Sequence, residues 1–352
     1  LECIVEEVLS DPSGGLSISD IDILRESERE QLLNEFNNTE LEYPRNKYIH
    51  ELFEEQVEKT PTAVAIEYGE RRLTYSELDR ESNRIANWLI QKGDKEEDLI
   101  LVCMEDPVDR IIAMVSIFKA GCVFLPYDIE MGEKRLSWLF EQLRPSRAIL
   151  SFVAFREIHC REDNTLISEQ CLLLENEKLN SKFEGKNRVI FWRTVRGNCS
   201  DAAPVTIRDK DSACYLYCTS GSTGEPKAII GRLKSIDHFI RWEIDMLGIG
   251  NGSRFSQLTS FTFDAFLRDV WTPLCSGGTV CIPNSKEGWL AKEALMDWLD
   301  SQRIEIVHCV PTIFRSLLGE SSEYMSLESL RFILMSGEPL LPSDISRWMN
   351  IY

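Results

Sequence analysis

Tyr215-Leu216-Tyr217-Cys218-Thr219-Ser220-Gly221-Ser222-Thr223-Gly224-Glu225-Pro226-Lys227 is an apolar strand that runs into a loop of hydroxyls and glycines and ends at a lysine. Glycines let a backbone bend closely around an anion, and hydroxyl and amide groups donate to its oxygens. A lysine at the end of such a loop supplies a point charge. The spacing excludes a Walker A loop, which wants Gly-Lys-Ser/Thr five residues after its first glycine, where this chain has Pro226. A plain polar hairpin is the bland reading of any Ser/Thr/Gly loop, and the particular order of this string argues for more.

On both sides of the loop the sequence alternates strand and helix. Buried strands are expected at Ala63–Tyr68, Leu99–Cys103, Cys122–Leu125, Arg147–Phe152 and Ala213–Cys218, and again at Arg254–Leu258, Thr279–Ile282, Ile304–Cys309 and Phe332–Met335. Between them, Tyr75–Leu89 puts Leu78, Ile85, Ala86 and Leu89 on one helical face. Further helices fit Val108–Lys119, Leu136–Leu143, Ile236–Met246, Asp264–Cys275, Leu290–Ser301, Ile313–Leu318 and Pro342–Trp348. This rhythm predicts an α/β fold with mainly parallel sheets covered by helices on both faces. Residues 155–205 lose the rhythm and are expected as surface excursions and loop. Residues 1–60 are acidic and helical in flavour, with Ser27 as a helix cap and an apolar stripe of Ile49, Leu52, Phe53 and Val57, and read as a linker packed on a neighbour.

Composition narrows the function classes. The chain has 352 residues, 39 Lys+Arg against 58 Asp+Glu, and a formal charge of −19. Such a chain repels polyanions, so neither a nucleic-acid nor an anionic-membrane partner is expected. Small anions held by backbone amides are still allowed. The 11 cysteines form no C-x-x-C pair and the 4 histidines are scattered, so no metal site is expected, and His50, His159 and His238 read as surface residues. The cysteines read as reduced, buried, small hydrophobes of a cytoplasmic protein. The longest apolar stretch, Ile111 to Leu125, is broken by Lys119 and is short for a bilayer span. The first residue is Leu, consistent with a piece of a longer chain.

The loop string resembles the signature phosphate loop T-S-G-S-T-G-x-P-K-G of the adenylate-forming enzymes, and most closely that of the adenylation domains of nonribosomal peptide synthetases. Ala228 stands where the family usually has its last Gly. Other family motifs follow in order. Leu73-Thr74-Tyr75-Ser76-Glu77-Leu78 matches the first, and Lys119-Ala120-Gly121-Cys122-Val123-Phe124-Leu125-Pro126-Tyr127-Asp128 the second. Phe263-Asp264-Ala265 matches the substrate-positioning motif, and Ser336-Gly337-Glu338-Pro339-Leu340 resembles G-G-E-x-L. The opening segment, through Tyr43-Pro44 and Thr60-Pro61, is similar to the linker after an upstream condensation domain. The resemblance therefore implies a linker over 1–60 and the N-terminal core of an adenylation domain over 61–352. The chain ends before the family's Tyr-Gly-Pro-Thr-Glu loop, its ribose-binding aspartate and its small C-terminal domain with the catalytic lysine. A partial domain, hardly active alone, is expected, and no catalytic residue is assigned.

The resemblance also implies a chemistry and its residues. An amino-acid carboxylate attacks the α-phosphorus of Mg²⁺-bound ATP, and the acyl group then passes to the phosphopantetheine thiol of a downstream carrier domain. Thr219, Ser220, Gly221, Ser222, Thr223, Gly224 and Lys227 are expected at the ATP phosphates, and Gly337 and Glu338 near the nucleotide. Asp264, Ala265, Arg268, His308, Leu334 and Ser336 are carried over by motif spacing as substrate-pocket residues, with Asp264 on the substrate ammonium. Asp264 as a simple helix cap is the competing reading. Arg268 lies one helical turn from Asp264, and an enclosed arginine wants an anion, so an acidic substrate (aspartate or a β-substituted aspartate) is expected. The competing reading pairs Arg268 with Asp269, Glu305 or Asp264 itself. An acyl- or aryl-CoA-type ligase and a non-catalytic docking module are the rival classes.

Overall fold

A computed structural model describes the whole chain except residues 1, 12–13, 16, 18, 20, 41–46, 160–170, 175–188, 207–208, 210, 221–225, 285–291, 319–326 and 352. The chain forms two compact units, Leu1–Asn46 and Lys47–Tyr352. The smaller holds α1 (Glu2–Ser10) and α2 (Glu26–Glu30), which runs on as a π-helical turn over Gln31–Glu35. Ser27 lies inside α2, whose N-cap is Arg25.

The larger unit opens with α3 (Ile49–Lys59), β1 (Val64–Tyr68), β2 (Arg71–Thr74), α4 (Tyr75–Gln91), β3 (Leu99–Cys103), α5 (Pro107–Ala120) and β4 (Val123–Pro126). It continues with α6 (Glu133–Leu143), β5 (Arg147–Leu150), α7 (Phe152–His159), β6 (Cys171–Leu173), β7 (Val189–Phe191) and α8 (Trp192–Asn198). Next come β8 (Ala213–Ser220), β9 (Pro226–Arg232), α9 (Leu233–Leu247), β10 (Arg254–Ser256), α10 (Ala265–Ser276) and β11 (Thr279–Ile282). The last elements are α11 (Lys292–Ser301), β12 (Ile306–Cys309), α12 (Pro311–Leu317), β13 (Phe332–Met335) and α13 (Pro342–Ile351).

Two sheets result. One has six strands in the order β13-β12-β10-β11-β1-β2, the other seven in the order β7-β6-β5-β3-β4-β8-β9. All pairings are parallel except β1 with β2 and β8 with β9. Continuous apolar strands such as Leu99–Cys103 suit a sheet covered on both faces. The main core lies between the sheets, where Ile66 and Val280 of one and Ile100 and Phe124 of the other meet α4, α5 and α10. A second core packs α6 and α7 on the outer face of the seven-stranded sheet, through Leu136, Leu139, Phe155 and Ile158. A third packs α11 and α12 outside the six-stranded sheet, through Leu295, Leu299 and Phe314.

The early motifs are explained by this packing. Thr74 caps α4 by accepting from the Glu77 N–H at 3.2 Å, while the Glu77 carboxylate accepts from the Thr74 N–H at 2.9 Å. Tyr75 is fully buried and donates to the Gly278 carbonyl at 2.8 Å, tying α4 to β11. Asp106 and Pro107 start α5, and Gly121, at φ +88°, ends it in the left-handed conformation only glycine adopts cheaply.

Three expectations are corrected. Helix α3, grouped in the sequence with the linker, belongs to the larger unit: Ile49 and Phe53 are fully buried in the main core, because their stripe has apolar partners on α4 and α10. His50, expected at the surface, is buried and stacks on Tyr48 at 5.7 Å. Residues 155–205 are not all excursion. Helix α7 and strands β6 and β7 continue the parallel sheet, with Cys171, Leu172 and Leu173 buried; three-residue strands are too short to show a period.

The hairpin of β8 and β9 depends on one glycine. A Cβ on Gly231 would lie 1.8 Å from the ring of Tyr215, its cross-strand partner. Gly231→Ala is therefore expected to displace Tyr215 and cost about 1–3 kcal/mol in chemical unfolding. In a Tyr215→Ala background the same substitution should cost almost nothing, and equal costs in both backgrounds would refute the contact.

Candidate functional site

A cleft of about 1200 Å³ opens where the two sheets present their strand ends. Glu105 and Pro107 enter it after β3, and Asp128 and Glu130 after β4. Gln257 and Thr259 enter after β10, Pro283 after β11, Val310 after β12, and Ser336, Gly337 and Glu338 after β13. All these segments follow the carboxyl ends of parallel strands, where α/β sheets leave unpaired polar backbone and room for ligands.

The loop quoted from the sequence sits at the same kind of position, beyond the end of β8. Thr219 pairs with Lys227 and Ser220 with Pro226, so β8 and β9 run antiparallel up to these residues. Thr219 and Lys227 are exposed. Gly221, Ser222, Thr223 and Gly224 lie outside the described residues.

Four of the six carried-over pocket residues, Asp264, Ala265, His308 and Ser336, line the cleft together with Gly337 and Glu338. Asp264 stands at the N-cap of α10 but makes no capping bond. Its exposed carboxylate has no hydrogen-bond or ion-pair partner among the described residues, so the simple-cap reading is not the one the structure adopts. The Tyr217 hydroxyl is buried and has no hydrogen-bond partner among the described residues; burial, then the Asp264 charge, raises it well above the ordinary phenol range. Glu338 is committed to α12: its carboxylate accepts from the Thr312 N–H at 2.9 Å and the Thr312 hydroxyl at 2.5 Å.

Two carried-over residues do not reach the cleft. Arg268 pairs with Glu243 of α9, and its guanidinium lies 5.7 Å from the Phe239 ring centre. Glu243, buried and already accepting from Thr272 at 2.6 Å, needs a cation, and Arg268 is on the side of α10 that supplies it. Leu334 packs with Phe255 and Ile306 in a small apolar cluster. The partner of Arg268 is none of the three carboxylates weighed from the sequence.

Sequence reasoning missed other residues of this region. Arg110 lines the cleft, donates to the Met104 carbonyl at 2.6 Å and covers the Phe261 ring at 4.8 Å; burial lowers its pKa. Asp269 is fully buried and hydrogen-bonded to His308 at 2.7 Å. The available signal was a carboxylate followed directly by Val270 and Trp271 within an expected helix, where burial would demand a polar partner. Cys103, also on the cleft wall, is pushed up to about 12 by burial, so its thiol stays protonated at neutral pH.

The sequence profile of AMP-binding enzymes matches residues 53–352, and so covers the two sheets and the cleft. The chain belongs to the AMP-binding enzyme family. This AMP-binding chain is 31% identical to gramicidin S synthase 2 of Brevibacillus brevis over 345 residues, 97% of the chain and 7% of that relative. It is 30% identical to bacitracin synthase 3 of Bacillus licheniformis over 321 residues, 91% of the chain and 5% of that relative. It thus spans less than a tenth of the length of these curated relatives. Its fold matches the crystal structure of the nonribosomal peptide synthetase FmoA3 with a TM-score of 0.78 at 24% identity, covering 99% of this chain and 34% of that one. Among the described residues, no helix is long and apolar enough to cross a membrane, and no group of three or more His, Cys, Asp or Glu side chains could hold a metal ion.

Proposed function

We propose that this AMP-binding chain activates an amino acid as its aminoacyl adenylate for nonribosomal peptide synthesis. An oxygen of the substrate carboxylate bonds to the α-phosphorus of Mg²⁺-bound ATP, and the bond to pyrophosphate breaks. A phosphopantetheine thiol on a carrier domain then takes the acyl group, and AMP leaves. Such phosphoryl chemistry needs in-line positioning and charge neutralisation more than covalent help. Thr219, Ser220, Lys227 and the loop between them hold the phosphates. Gly337 and Glu338 form the wall beside the nucleotide. An upstream condensation domain joined through residues 1–46, and a cytoplasmic setting, belong to the same proposal.

The observation that carries this reading is the unpartnered Asp264 carboxylate facing the cleft at the start of α10. A carboxylate left open in a ligand cleft suits an ammonium, which fatty and aryl acids lack. No acidic side-chain preference is included, because Arg268, its intended anchor, is committed to Glu243.

The test is amino-acid-dependent exchange of pyrophosphate into ATP by the full-length protein, with fatty and aryl acids in the same panel. Exchange driven only by acids lacking an amine would overturn the reading. Lys227→Ala should lower the exchange rate by about ten- to a hundredfold through one lost charge-assisted contact. Because Lys227 is exposed, the melting temperature should hardly move.

A further inference from the structure

Three side chains from separate elements form one hydrogen-bonded line that ends at the cleft. His308 on β12 places Nδ1 2.7 Å from Oδ1 of Asp269 on α10, and Nε2 2.9 Å from Oγ of Ser336, just after β13. Asp269 is fully buried, His308 is 6% exposed at its side chain, and Ser336 is exposed on the cleft wall. The second carboxylate oxygen of Asp269 accepts from the Thr259 N–H at 3.2 Å.

The direction of this line follows from the chemistry of its buried end. A carboxylate only accepts, so the hydrogen of a neutral imidazole sits on Nδ1 and Nε2 is left as an acceptor. The Ser336 hydroxyl then donates inward to Nε2, and its remaining lone pairs face the cleft. We infer that Asp269 is a positioning residue that fixes His308 in this tautomer, making Ser336 a hydrogen-bond acceptor for the substrate side chain. The amino acid selected then carries a side-chain donor, an amide or a hydroxyl. This inference rests on the adenylating function proposed above and deepens it.

Isosteric substrates and two substitutions test it in pyrophosphate exchange by the full-length protein. Asparagine should exceed both aspartate and leucine, or threonine should exceed valine, by about tenfold or more in kcat/KM. Ser336→Ala should bring those ratios close to one, mainly through a raised KM for the donor-bearing amino acids. In Asp269→Asn the amide oxygen stays on the Thr259 N–H, so the amide nitrogen faces Nδ1. The imidazole hydrogen moves to Nε2, the Ser336 hydroxyl turns toward the cleft, and the ranking should invert toward aspartate. A structural role alone would lower all rates together and leave the ranking intact.

If aspartate or an apolar amino acid wins with the parent protein, or if Ser336→Ala preserves the ranking, the inference fails while amino-acid adenylation stands. An aspartate win would turn attention to Arg110, the cation on the cleft wall. If no amino acid supports exchange, both readings fall. Should Asp269→Asn not fold, the Ser336→Ala ratios still decide, since Ser336 is exposed.

Discussion

Asp264→Ala in the full-length protein is expected to lower kcat/KM for the preferred amino acid by roughly a hundredfold or more and to leave the melting temperature nearly unchanged. Truncating one partner of a desolvated charge pair costs about 2–5 kcal/mol, much of it from stranding the other charge. Each 1.4 kcal/mol is tenfold. The fold should tolerate the change because Asp264 makes no hydrogen bond or ion pair among the described residues and caps nothing. A desamino analogue of the substrate supplies the control. The parent protein should reject it, and Asp264→Ala should discriminate against it far less. An equal loss for substrate and analogue would mean that Asp264 does not meet the ammonium.

Lys119→Met is the second large effect, and it falls on stability. The Lys119 side chain is fully buried, with Nζ 2.5 Å from Asp79 Oδ1, 2.6 Å from Asn83 Oδ1 and 3.3 Å from Glu54 Oε1, and 5.2 Å from the Phe53 ring centre. It therefore joins α3, α4 and α5 at one point. Burial holds the Glu54 carboxyl above the ordinary carboxylate range, with the Lys119 charge the main opposing influence. Removing the cation leaves these two half-buried carboxylates without their shared counter-charge. Breaking a buried ion pair from one side costs about 3–5 kcal/mol. For a unit of this size that is a fall of about 5–8 °C in melting temperature. An unchanged transition would show that the site repacks without the cation. The lysine that opens the second motif thus holds helices together, far from any phosphate role.

The local elements were legible in the sequence because their signals are local. Thr279–Ile282 and Phe332–Met335 end where the apolar runs end, and α4 begins at Tyr75, where the helical spacing begins. The order of residues from Thr219 to Lys227 located the hydroxyl loop, and the Phe-Asp-Ala triplet located the carboxylate at the start of α10. Spacing along a helix could place Arg268 within one turn of Asp264, but it could not say which carboxylate it would meet. Buried Glu243, on a different helix, offers an anion already stripped of water, and the guanidinium goes there. The same limit hid the line from Asp269 to Ser336, whose members lie 39 and 28 residues apart. It also hid the membership of α3, whose apolar stripe is equally consistent with any neighbour until a core is present to cover it. Periodicity and capping are written within a few residues. The partner of a buried charge is decided by the lowest-cost pairing among groups that only the folded chain brings together.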